Sequence, residues 1–299
     1  MEKIKNANIV VTDSLMETVY GADAIDGASV SVLKDPEIFA LNVLATPEKV
    51  FSLLAPLSPK PLFICGSSNF HHVDAYNIAQ FSRMLASPMQ LILIDRHMDC
   101  QRYRDSENVL HCGNWVSYCY RKGYINRIVM AGCDDYSKVS TFDHQIKQDG
   151  NLLHAPDLNS IDIRSFLDAK APTYTSVDTD VLDVLSDWGV GRHSMESVMA
   201  SPLWEQLQGY KVVGGFINGH VTDDRRLKDM LVCAIINIKA SSVNMSFREI
   251  CEDTYYTMKD KLKASLSGSP LKPEAQLQII LRFYERITGV IAAEQRIPD

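Results

Sequence analysis

The 299-residue chain has no CxxC pair, no run of 18 consecutive apolar residues and no cluster of basic residues. Each absence narrows the possibilities. Seven cysteines, odd in number and scattered at Cys65, Cys100, Cys112, Cys119, Cys133, Cys233 and Cys251, fit reduced, semi-buried thiols better than a disulfide framework. Without a long apolar stretch there is no membrane span to expect. The N-terminal segment, Met1-Glu2-Lys3-Ile4-Lys5-Asn6-Ala7-Asn8, has no apolar signal core, so the expected location is cytoplasmic. A net charge of −7, with nothing basic clustered, argues against nucleic acid and anionic membrane as partners. No internal repeat or low-complexity tract is present. What the chain does have is apolar content: 46% hydrophobic residues, enough for one large core or two modest ones.

Short apolar runs alternate with segments of helix length. Strands are expected at residues 61–66, 91–95, 127–132, 174–178 and 211–216, each almost continuously apolar, as in parallel strands covered on both faces. Residues 231–238 read equally as a strand or as a buried helix. In the N-terminal sixty residues only 9–11 and 30–33 suggest edge strands. Helices are expected at 70–85 after Asn69, 115–122 ending at Gly123, 161–169 after Ser160 and 194–207 before Gly209. Residues 246–264 and 273–293 form a helical tail broken at Ser267-Gly268-Ser269-Pro270. The alternation predicts a three-layer α/β/α architecture around a mostly parallel sheet. No linker divides the chain, so 1–299 reads as one domain, with the helical tail at about 246–299.

Two of the strands end in acidic clusters. The first reads Leu91-Ile92-Leu93-Ile94-Asp95-Arg96-His97-Met98-Asp99 and the second Tyr174-Thr175-Ser176-Val177-Asp178-Thr179-Asp180. In extended chain alternate side chains share a face, so Asp95, His97 and Asp99 project together, as do Asp178 and Asp180. In open α/β sheets ligands gather at the carboxyl ends of strands. Carboxylates at this density repel one another unless a cation neutralises them. The plainer reading of a lone DxD is a turn or helix cap, and of a lone histidine a satisfied core residue. Two such clusters at two strand ends favour a pair of divalent ions that activate water.

These residues resemble motifs of the arginase/agmatinase (ureohydrolase) family. Asp95-Arg96-His97-Met98-Asp99 is similar to its DAHxD motif. Ser176 to Asp183 is similar to SxDxDxxD, with Gly189-Val190-Gly191 where a PGxG turn follows. Phe70-His71-His72 stands where the family has the histidine of GGDHS, and His72, 23 residues before Asp95, fits the spacing better than His71. His111-Cys112-Gly113-Asn114, beginning 12 residues after Asp99, resembles the substrate-pocket HG[TN] site. The resemblance implies an arginase-like fold and two ions, most plausibly Mn²⁺ for a carboxylate-rich set with two imidazoles. Asp95 and Asp178 would bridge them, His72 and Asp99 completing one, His97 and Asp180 the other. It implies an activated water that attacks a guanidinium carbon to release urea and an amine. Asp99 would accept a hydrogen bond from the nucleophile, and His111 would shuttle a proton as a near-neutral imidazole. Asp183 would orient the ligand loop.

Three departures bear on the substrate. Arg96 replaces a small residue between two ligands. The glutamate that grips a guanidinium in the family falls on Gly219 or His220, which leaves Asp223 or Asp224, or His220 itself, to contact substrate in its place. Only 66 residues lie between His111 and Asp178, a short rim that suits a larger substrate, and Cys133-Asp134-Asp135 offers a further acid through Asp135. A small guanidino compound and an arginine within a peptide are therefore both expected as substrates, and the family implies a homo-oligomer. The alternatives are a metal-dependent amidohydrolase or deacetylase on the same fold, or a metal-binding protein without catalysis. His144, His154 and His193 are isolated and read as non-ligands.

Overall fold

The computed structural model describes residues 7–11, 29–32, 46–66, 68–102, 109–133, 142–183, 193–218 and 273–294. Among these residues eight strands form one sheet. They are β1 (Ala7–Val11), β2 (Ser29–Val32), β3 (Leu62–Cys65), β4 (Met89–Ile94), β5 (Ile125–Ala131), β6 (Leu152–Ala155), β7 (Thr173–Asp178) and β8 (Val212–Asn218). Their order is β2-β1-β3-β8-β7-β4-β5-β6, and every neighbouring pair is parallel. The helices are α1 (Pro47–Leu54), α2 (Asp74–Leu85), α3 (Trp115–Arg121), α4 (His144–Gln148), α5 (Met195–Met199), α6 (Pro202–Leu207) and α7 (Pro273–Glu294).

The continuous apolar strands are explained by cover on both faces. Alternation sends Leu62 and Ile64 to one side of β3 and Phe63 and Cys65 to the other. The first side joins a core with α5, α6 and α7, through residues such as Trp204, Phe283 and Ile287. The second joins a core with α1, α2 and α3, through Val50, Phe81 and Trp115. This is the expected three-layer α/β/α arrangement. None of the helices described is long and apolar enough to cross a membrane.

Several elements differ from expectation for identifiable reasons. Residues 161–169 form turns instead of a helix. Side chains capture the amides a helix would use: Gln206 accepts from the Ile163 N–H at 2.9 Å, Asp162 from Arg164 at 3.1 Å and Gln90 from Asp168 at 2.7 Å. The single helix expected over 194–207 is two, because Pro202 has no N–H and Ser201 caps the second helix. The start of the 70–85 helix is a 3₁₀ turn, Ser68–Val73, before α2 begins. β1 lies inside the sheet, with β2 at the edge. α1, α4 and β6 are elements beyond those expected. The segments 231–238 and 246–264 lie outside the described residues.

The β3, β8, β7 and β4 strands are consecutive in the sheet, and the carboxyl ends of β4 and β7 carry the acidic clusters. α7 approaches the middle of this group closely at Gly215. A Cβ there would lie 2.5 Å from Ile287 Cγ2 and 3.1 Å from the Thr175 carbonyl oxygen. Gly215→Ala is expected to cost about 1 to 3 kcal/mol by overpacking, measured as a lower midpoint in urea denaturation. An unchanged midpoint would mean that α7 can move away without cost.

Candidate metal centre

Hydrogen bonds along β4 and β7 place the ends of these strands side by side, with Ile94 paired to Val177. Asp95 follows β4, and its N–H donates to Ala131 of β5 at 3.1 Å. Its carboxylate then receives the His97 N–H at 2.6 Å, which tightens the turn carrying the next ligand. Asp178 ends β7 and likewise accepts the Asp180 N–H at 3.0 Å. Asn218, its partner across β8, donates to Asp178 Oδ2 at 3.4 Å. Asp99 sits in the left-handed region, φ +49, which turns its side chain back over the strand ends.

The result is two groups of potential ligands sharing one carboxylate. His71 Nδ1 lies 3.1 Å from Asp95 Oδ2, 3.1 Å from Asp99 Oδ2 and 3.5 Å from Asp178 Oδ2. His97 Nδ1 lies 3.6 Å from Asp95 Oδ1 and 3.0 Å from Asp180 Oδ2. Asp95 therefore turns one oxygen to each imidazole. The histidine of the first group is His71, not His72 as the spacing suggested. Successive residues of a 3₁₀ turn point about 120° apart, so only one of the pair can face the strand ends. His71 does, between the rings of Trp115 and Phe216 at centroid distances of 4.9 and 5.7 Å. His72 is buried against Phe70 and acts electrostatically on His111.

The donor set fits divalent cations. His71 Nδ1, Asp95 Oδ2 and both Asp180 oxygens are buried and make no hydrogen bond, although neighbouring ligand atoms lie within 3.0 to 3.1 Å. Atoms that converge without hydrogen-bond geometry are what a shared cation requires. Electrostatics agrees. Burial, then the charges of Asp180 and Asp95, push the Asp178 carboxyl well above its usual range. Burial and the Asp95 charge raise Asp99 to about 6. Burial opposes a charged His71, but the carboxylates of Asp95 and Asp99, each 3.1 Å from Nδ1, outweigh it and raise that imidazole above its ordinary value. Without cations the cluster holds its charge in check by keeping protons, and divalent ions would displace them.

The remaining residues stand as follows. His111 is buried; its N–H donates to Asn114 Oδ1 at 2.9 Å, and its Nδ1 accepts the Gly113 N–H at 3.1 Å. Burial, reinforced by His72, pushes its pKa down to about 3. That shift runs away from the expected near-neutral titration and favours the neutral imidazole, whose Nδ1, accepting from Gly113, leaves Nε2 as the nitrogen for the proton. Asp183 is exposed, and its main-chain N–H donates to the His193 carbonyl oxygen at 3.0 Å. Asp135, His220 and Asp223 lie outside the described residues. Trp115 was missed. Its indole N–H donates to Asp99 Oδ2 at 2.7 Å, while its ring flanks His71. Its position directly after Asn114 was the only available signal. Trp115→Phe should leave the fold intact but weaken divalent-ion binding about tenfold, as loss of a hydrogen bond to a ligand does. Calorimetric titration with Mn²⁺ measures this, and unchanged affinity would rule out a supporting role for the indole.

Comparison with known proteins agrees with this architecture. The family model described as Arginase family matches residues 17–214, more than half of the chain. Among solved structures, the proclavaminate amidino hydrolase of Streptomyces clavuligerus is similar at 12% identity and a TM-score of 0.52, covering 96% of this chain and 94% of that one. A hypothetical agmatinase from Burkholderia thailandensis is similar at 14% identity and a TM-score of 0.50, covering 96% of this chain and 88% of that one. At such identities these two structures speak for the fold alone. No curated protein sequence matches. With the family model spanning the strand ends and both ligand groups, the chain belongs to the arginase family.

Proposed function

We propose that the protein is a metal-dependent hydrolase that takes two manganese-class ions and cleaves a C–N bond of a guanidino substrate, releasing urea. The observation that carries this reading is the Asp95 carboxylate, with Oδ2 at 3.1 Å from His71 and Oδ1 at 3.6 Å from His97. A single carboxylate spanning two imidazole–carboxylate groups is the arrangement a pair of ions needs. His71, Asp95, Asp99 and Asp178 would hold one ion; Asp95, His97, Asp178 and Asp180 the other. Bound there, two divalent ions would supply an activated water as nucleophile.

The chain's own groups would do the rest. Asp99, held by Trp115, accepts a hydrogen bond from the incoming water. His111, neutral with its proton on Nε2, orients the substrate by hydrogen bonding and does not store a proton. Asp135, His220 and Asp223 remain the candidates for gripping the substrate cation. The similar amidino hydrolase and agmatinase, by their names, support an amidino or guanidino substrate. A short rim supports admitting either a small guanidino compound or an arginine-containing peptide. We place the protein in the cytoplasm as a homo-oligomer; that no disulfide joins the described cysteines supports a reducing compartment.

Metal analysis of protein purified without chelator should find about two manganese-class ions per chain; one or none would sink the binuclear reading. Urea should be released from arginine, agmatine or an arginine-containing peptide with Mn²⁺ added. Acetate without urea would instead identify a deacetylase. Asp180→Ala should lose the ion at His97 and lower turnover by a factor on the order of 100 or more, and full activity in that variant would refute the ligand assignment.

A further inference from the structure

Asn218 ends β8 and is fully buried. Parallel pairing sets it level with Asp178 on one side and with Cys65 on the other. Asp95 follows Ile94, the partner of Val177, and so lies beside Asp178 one strand further along. Alternation puts all four side chains on the face that carries Phe63, Leu93, Tyr174 and Phe216. Cys65, Asn218, Asp178 and Asp95 thus form one row across the strand ends, and an uncharged amide stands next to two ligands. Phe216, two residues before Asn218 on that face, lies along the ring of His71 at 5.7 Å between centroids. Asn218 therefore sits one step beyond the ring that flanks His71, at the level of the carboxylates.

The amide is poorly satisfied by the chain itself. Its Oδ1 is buried and accepts no hydrogen bond, and a buried carbonyl without a partner is costly. Its Nδ2 lies 3.4 Å from Asp178 Oδ2, longer than an ordinary N–H donor distance. The same carboxylate oxygen lies 3.5 Å from His71 Nδ1. The head of the Asn218 side chain thus stands as near to Asp178 Oδ2 as a ligand nitrogen does. A half-turn about the last side-chain torsion, which is roughly two-fold, exchanges Nδ2 and Oδ1. It swaps one unpartnered amide atom for the other and gives up only a long hydrogen bond. Carbonyl oxygens, like carboxylates and water, are donors that suit manganese-class ions. We propose that Asn218 supplies its side-chain oxygen as a further ligand of the ion at His71, beside Asp178. The proposal rests on the two-ion reading above. Asp178 Oδ2 is the oxygen facing His71, whereas His97 faces Asp95 Oδ1 and Asp180 Oδ2. The amide therefore serves one ion of the pair.

The test is calorimetric titration of the full chain with Mn²⁺, comparing wild type with Asn218→Ala and Asn218→Asp. Wild type should take two ions. Asn218→Ala should keep one at wild-type affinity and bind the other about tenfold or more weakly, since losing a ligand costs at least as much as losing a group that orients one. Asn218→Asp keeps an oxygen at the same place and loses the N–H donor, so it should bind both ions at wild-type affinity or tighter. A residue that merely donates to Asp178 predicts the reverse: the aspartate would repel Asp178 and bind more weakly than the alanine variant. That order, wild-type affinity for both ions in Asn218→Ala, or equal weakening of both ions would overturn the assignment. If Asn218→Ala fails to fold, Asn218→Asp against wild type decides alone, weaker binding refuting the oxygen ligand. A wild-type chain that takes fewer than two ions would instead overturn the two-ion reading on which the proposal stands.

Discussion

Mutual repulsion among Asp95, Asp99, Asp178 and Asp180 is the constraint on which the rest of the site depends. All four are buried at the ends of adjacent strands. Ligand atoms of Asp95 and Asp99 lie within 4.8 Å of each other. At that separation two like charges repel by about 3 to 4 kcal/mol at an effective dielectric of about 20. A fold does not gather such groups to stabilise itself, since buried charges are weak contributors even when paired. The two imidazoles and retained protons offset the repulsion in the cation-free chain. Divalent ions would do so more completely, which links the chemistry of the site to the stability of the strand ends.

The scaffold answers this constraint with rigidity. Strand ends fixed by parallel pairing on both sides carry Asp95 and Asp178, and each carboxylate binds an amide two residues on, so its loop cannot unwind freely. His71 is held on two flanks by Trp115 and Phe216 and at its outer nitrogen by Ser176. The first ligand group is therefore enclosed by aromatic rings and buried hydrogen bonds. The second, through His97, opens toward solvent. Substrate approach and ion exchange would both favour that open side.

Much of this was legible in the sequence because its signals are local. Apolar runs of strand length announced the sheet, and the alternation of Asp95, His97 and Asp99 after such a run announced ligands. Where a choice depended on phase around a turn, counting residues failed. His72 has the better spacing, but the 3₁₀ geometry gives the position to His71. The helix expected at 161–169 failed because Gln206 and Gln90, distant in sequence, take its amides. Asn218 left no signal and Trp115 only its place after Asn114, because each matters through a partner on another element.

By itself the sequence determined the layer architecture, the family, and the presence of carboxylate-rich clusters at two strand ends, since apolar periodicity and short spacings between acidic residues are properties of contiguous chain. Tertiary structure alone decided which histidine faces the carboxylates, and that burial beside His72 leaves His111 neutral. It also decided which groups hold the ligands in place. These depend on distances between residues tens of positions apart, and on the loss of solvent around them, neither of which a linear pattern carries.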